Sequence, residues 1–261
     1  MNFFFNFSTI DYCSKLCIPK FQNRKSVNKD IQLYQLIIEN DKWIAKIPEF
    51  NSDNNFFYIE NNKNINTSNF YFLASKKKLE GKKEELKEKI IQIDDFTDTF
   101  PDFRSNIKVF NKIGGFSSYQ SEIPLELVAR QGSIIAHANI LLNKRSEKNI
   151  IFFVNLYCLP VLKKFNLYFI DKKLKKVLSV KEIFTNSVNE IKNLNDYLFE
   201  ENIFLFTKDY LGFPIFLSEN NGQISFEHTH PPQENFSNKN KFDYIKKIKE
   251  ELNEIIYKEN I

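Results

Sequence analysis

The chain has 261 residues, 42% hydrophobic and 27% charged, which is ordinary for a folded protein of one large or two modest domains. Its 37 Lys and Arg against 33 Asp and Glu leave a net charge of +4, spread along the chain and carried mostly by lysine. That pattern argues against a nucleic-acid partner, and 3 cysteines argue against a disulfide scaffold. No stretch approaches the roughly 20 apolar residues of a membrane span, and the apolar start, Met1 to Ser8, lacks the basic flank of a signal peptide. The expectation is a cytoplasmic protein with no membrane contact.

In chain order, residues 31–38 and 43–47 read as a hairpin around Asn40 and Asp41, and residues 56–59 and 70–73 as a second one across an Asn-rich loop. Residues 79–93 change to a helical period through Leu86, Ile90 and Ile93. The acidic, proline-ended stretch 94–102 is the candidate boundary between an N-terminal hairpin and helix region, 1–100, and a second unit, 101–261. A single compact unit is the alternative.

Beyond that stretch strand signals crowd together, at 107–111, 125–129, 133–142, 150–159, 165–170, 176–180, 203–207, 213–217 and 223–229. Turn chemistry separates them at 171–173 and at Asn221-Gly222. Residues 150–159 are nearly all apolar, which predicts a central strand. Phe165, Leu167 and Phe169 alternate with Asn166 and Tyr168, which predicts a half-exposed one. Near the end, Phe242, Ile245, Ile248, Leu252, Ile255 and Ile256 recur at three- and four-residue spacing, so an amphipathic helix either docks on its own sheet or pairs with a partner chain. Many short strands without interleaved helices predict a mostly β fold. The expected form is an antiparallel β-sandwich or jelly-roll-like barrel with N-terminal hairpins and a C-terminal amphipathic helix.

The densest chemistry lies in 222–234, which holds two of the 3 histidines. Strand side chains alternate, so His228 and His230 project from one face within reach of a single metal ion, with Glu234 as a third ligand. His137, on another strand, is the only histidine left to act as a fourth ligand, although a lone histidine on an apolar strand is more often a hydrogen-bonded core residue. Gly222, five residues, His228-x-His230, three residues and Glu234 is a spacing that resembles the first motif of the cupin family. That resemblance implies a small β-barrel holding a divalent metal through His, His, Glu and a further His from a second motif. No second motif follows Glu234, and the resemblance covers about a dozen residues, so it stands as a local pattern. Cys13 and Cys17 lack the second pair of a structural zinc site, and Cys158 reads as a small hydrophobe.

Nucleophile motifs, phosphate loops and dinucleotide fingerprints are absent from the sequence. The leading expectation is a non-enzymatic binding or accessory protein with a small-molecule or protein partner. One alternative is a metal-dependent, cupin-like enzyme in which the metal polarises a substrate oxygen or activates water, with Glu227 or Glu234 as the base. Another is a structural homo-oligomer assembled through the terminal helix.

Overall fold

The structure is a computed structural model that describes residues 2–23, 26–27, 31–61, 67–75, 85–86, 105–128, 131–138, 142–192, 194, 202–228 and 239–260. Its strands begin with β1 (Asn2–Ser8), β2 (Tyr12–Pro19), β3 (Phe21–Asn23), β4 (Ser26–Val27), β5 (Ile31–Glu39), β6 (Lys42–Lys46) and β7 (Asn51–Ser52). They continue with β8 (Phe56–Asn61), β9 (Thr67–Ser75), β10 (Glu85–Leu86), β11 (Asn106–Asn111), β12 (Phe116–Gln120), β13 (Glu122–Pro124) and β14 (Ile134–His137). The last are β15 (Lys148–Asn155), β16 (Lys164–Asp171), β17 (Lys176–Phe184), β18 (Ser187–Ile191), β19 (Ile203–Thr207), β20 (Phe213–Asn220) and β21 (Gln223–His228). Helical structure among the described residues is one turn at Leu125–Val128 and a long helix at Lys241–Lys258. No helix there is long and apolar enough to cross a membrane.

The fold is mostly antiparallel β, built as a sandwich of stacked sheets with the long helix on its outside. A curled 11-stranded sheet runs β10-β6-β5-β9-β1-β2-β11-β12, with β13 on β1, β8 on β2 and β7 on β8. A middle sheet runs β18-β15-β20-β21, a third runs β14-β19-β16-β17, and β3 and β4 form a separate ribbon. All strands up to β13 lie in the curled sheet or the ribbon, and all strands from β14 lie in the other two sheets.

Alternation along β15 shows how the layers stack. Ile150, Phe152 and Val154 share a core with Phe7, Leu16 and Val109 of the curled sheet, while Ile151 and Phe153 share one with Leu167, Phe169 and Leu205 of the third sheet. The third sheet is covered in turn: Tyr168, Ile170 and Phe206 face Ile245, Ile248, Leu252, Ile255 and Ile256 of the helix. Both inner sheets are therefore apolar on both faces. Each fully buried Leu, Ile or Phe contributes about 1.5–3 kcal/mol relative to exposure, so the stack draws on three separate cores. The helix is also tied by polar contacts, with Lys249 Nζ donating to Ser133 O at 2.5 Å and Lys172 paired with Glu251 at 2.9 Å.

Several expected elements form as read. β5 and β6 make the first hairpin, and Asn40 and Asp41 both adopt positive φ, 51° and 56°, as a tight two-residue turn demands. β15 is central, and the terminal helix docks on its own sheet.

Other readings need correction. The second hairpin does not form, because β9 is flanked by β1 and β5 whereas β8 is flanked by β2 and β7. Tyr168, expected on a half-exposed strand, is buried because the helix covers that face. Phe242, assigned to the helix seam, is 67% exposed. Residues 125–128 form a helical turn instead of a strand, directly after Pro124, whose fixed φ suits a helix start. Of the expected helix at 79–93, only Glu85 and Leu86 lie within the described residues, and they pair with β6 as β10. The boundary stretch 94–102 lies outside the described residues.

Candidate functional site

The β20–β21 hairpin positions His228. Asn221 and Gly222 turn the chain with φ of 49° and 75°, and the register then runs from Asn220 opposite Gln223 to Ile215 opposite His228. Alternation puts Phe226, which is fully buried, and His228 on the face turned toward the curled sheet. β21 ends at His228, so its half-buried ring stands at the strand end. The ring lies 4.5 Å from that of Tyr119, nearly perpendicular at 77°, and 6.1 Å from that of Phe213. Phe213 in turn meets Phe5 at 6.0 Å. The surroundings of His228 are thus an aromatic rim where the edge strands β12 and β21 lie side by side.

His230 and Glu234 lie outside the described residues. His137 is described, and the structure does not bring it to His228. It shares the face of Ile135, toward the terminal helix, and its ring sits 4.6 Å from that of Phe204. His228 points out of the middle sheet toward the curled one, and both the middle and third sheets separate the two rings. Burial lowers the pKa of His137, which favours the neutral imidazole expected of a core residue. No group of three or more His, Cys, Asp or Glu suited to a metal ion occurs among the described residues.

At the opposite end of β21 a polar clamp joins the sheets. Glu219, 6% exposed, accepts a 2.5 Å bond from the Tyr12 hydroxyl and a 3.3 Å bond from Asn111 Nδ2, and lies 3.5 Å from Lys148 Nζ. Burial and the Glu219 carboxylate push the Tyr12 phenol well above its usual pKa, so it stays a donor. Asn111 Nδ2 also donates to Gly222 O at 2.7 Å, and its Oδ1 accepts from Gly115 N at 2.7 Å. A Cβ on Gly115 would stand 1.7 Å from Gly222 O, so only glycine allows the two turns to meet. Beside this clamp, Lys192 bridges Asp11 at 2.9 Å and Glu190 at 3.1 Å.

The remaining chemistry-bearing side chains are placed structurally. Burial raises the thiols of Cys13 and Cys17 above their ordinary pKa, which disfavours the reactive thiolate. Cys158 is buried just past the end of β15, where its carbonyl accepts the indole N–H of Trp43 at 3.1 Å. Sequence reasoning missed Tyr119, Phe213, Tyr12, Asn111 and Glu219. Their partners come from distant strands, and nothing local in the sequence marks them.

Comparison with protein families, with characterised proteins and with solved structures finds no match for this chain.

Proposed function

We propose that the protein acts without catalysis, as a binding or accessory protein whose recognition rim is centred on His228. The reading is supported by the rim itself: a half-buried imidazole at a strand end, walled by Tyr119 and Phe213. Aromatic walls with one polar group suit a small apolar or aromatic ligand, or a side chain of a protein partner, held by area and oriented by one hydrogen bond. A reducing compartment, the cytoplasm, fits the three free cysteines. The test is an aromatic and carboxylate fragment panel read by ring NMR signals. Binders should shift His228 and Tyr119 together and be lost in Tyr119→Ala, whereas binders that map only elsewhere would refute the rim.

A second reading keeps a divalent metal at the same rim, held by His228, His230 and Glu234. It is favoured by the position of the His228 ring at the end of β21. Metal analysis of protein purified without a histidine tag separates the two. Stoichiometric metal that disappears in His228→Ala would establish the metal, and a metal-free protein that still binds fragments at the rim would remove it.

A further inference from the structure

The solvent face of the curled sheet carries a second arrangement, independent of the His228 rim. β8, β2, β11 and β12 lie side by side, with Tyr58 opposite Cys17, Cys17 opposite Asn106, and Asn106 opposite Gln120. Leu16, Ile59, Ile107 and Val109 point into the core, so alternation turns Tyr58, Lys15, Lys108, Phe110 and Phe116 outward. Phe116 is 56% exposed, beside Phe110 at 6.0 Å, and Phe56 lies 6.1 Å from Tyr58 at the other corner. Between these two aromatic corners, Lys15 and Lys108 stand directly opposite one another.

Like charges in opposed positions on a sheet destabilise it, and an anion placed between them relieves the repulsion. Lys108 lies 3.6 Å over the Phe116 ring, and Lys15 lies 5.8 Å over that of Tyr58, so each cation is held beside an aromatic face. Lys15 also pairs with Glu60 at 2.6 Å, but with both side chains more than 40% exposed such a pair is cheaply exchanged for another anion. Asp53 accepts from the Tyr58 hydroxyl at 2.9 Å, which fixes the ring edge. Flat rings interleaved with lysines across a sheet match a ligand that alternates aromatic planes with negative charges. A single strand of nucleic acid has that chemistry, with bases to stack and phosphates to pair. Lys15 and Lys108 are far apart in sequence, which is why charge averaged along the chain does not register the patch.

We propose that this face is a platform for single-stranded nucleic acid, with bases on Phe116 and Tyr58 and phosphates at Lys108 and Lys15. Fluorescence anisotropy with fluorescein-labelled oligo-dT and oligo-U, at low and moderate salt, tests it on the full chain. Saturable binding that weakens with salt is expected, and it should exceed that of a duplex of equal length. Phe116→Ala should weaken binding about tenfold or more, as the loss of one stacked base does, and Lys108→Gln should flatten the salt dependence. Tyr58→Ala with Lys15→Gln gives a second, independent pair should the first lower the melting temperature. His228→Ala should leave oligonucleotide affinity unchanged, so failure here is distinguishable from failure of the rim. No binding, binding equal in all the variants, or heparin binding that matches the oligonucleotides and ignores Phe116→Ala would overturn the proposal.

Discussion

Tyr12 shows how one side chain joins two sheets. Its hydroxyl is a short-range donor to Glu219, a carboxylate that is buried between layers and must be satisfied there. Tyr12→Phe should cost about 1–3 kcal/mol in chemical denaturation, because the remaining contacts to Asn111 and Lys148 leave Glu219 Oε2 short of its best partner. His137 offers a pH handle. Its pKa in the fold lies below the ordinary 6.5, so its contribution is complete above that pH and is lost as pH falls through the folded value. The melting temperature of the wild type should therefore fall more steeply from pH 7 to pH 5 than that of His137→Phe, and equal slopes would show that another group controls the acid limb. The direction of His228 was legible from alternation with Phe226 alone. Its aromatic company was not, since Tyr119 belongs to a strand of a different sheet and no spacing rule links the two.

At the level of elements, β15 is the clearest case of sequence and structure agreeing. The run from Ile150 to Val154 has no polar position on either parity, which predicts burial on both faces, and Phe152 and Phe153 do face different cores. Phe152→Ala and Phe153→Ala should then destabilise by similar amounts, about 3–5 kcal/mol each, in urea titrations. A large effect from one and little from the other would contradict two-sided burial. The same signal was available in β1, where Phe3, Phe4, Phe5 and Phe7 are all buried, yet an apolar run at a chain start also resembles a targeting segment and its strand character was masked. Pairing was less legible than strand existence. β8 and β9 are both strands, but hairpin logic could not reveal that each prefers partners from elsewhere in the chain. For the terminal helix the periodicity was sufficient except at Phe242, one turn before the buried seam begins. Replacing Ile248 and Leu252 together by Asp should undock the helix and lower the melting temperature sharply, since two charges would enter a closed apolar seam.

For the molecule as a whole, the order of layers sets the order of protection. Amide hydrogen exchange should be slowest in β15 and β20, which lie between two cores, and faster in the edge strands β12 and β17. Slow exchange centred on the edges would rule out the layer order described above. The chain also threads these layers unevenly. Strands β14, β16, β17 and β19 go to the third sheet while β15, β18, β20 and β21 go to the middle one, so the two are woven together along the sequence. Any cut between β15 and β19 leaves both sheets short of a strand, whereas a cut between Val128 and Ile134 separates the curled sheet whole from everything that stacks on it. The protein should accordingly be divisible there: two co-expressed halves broken between Val128 and Ile134 should find each other and reassemble through the aromatic core, and halves broken in a loop between β15 and β19 should not.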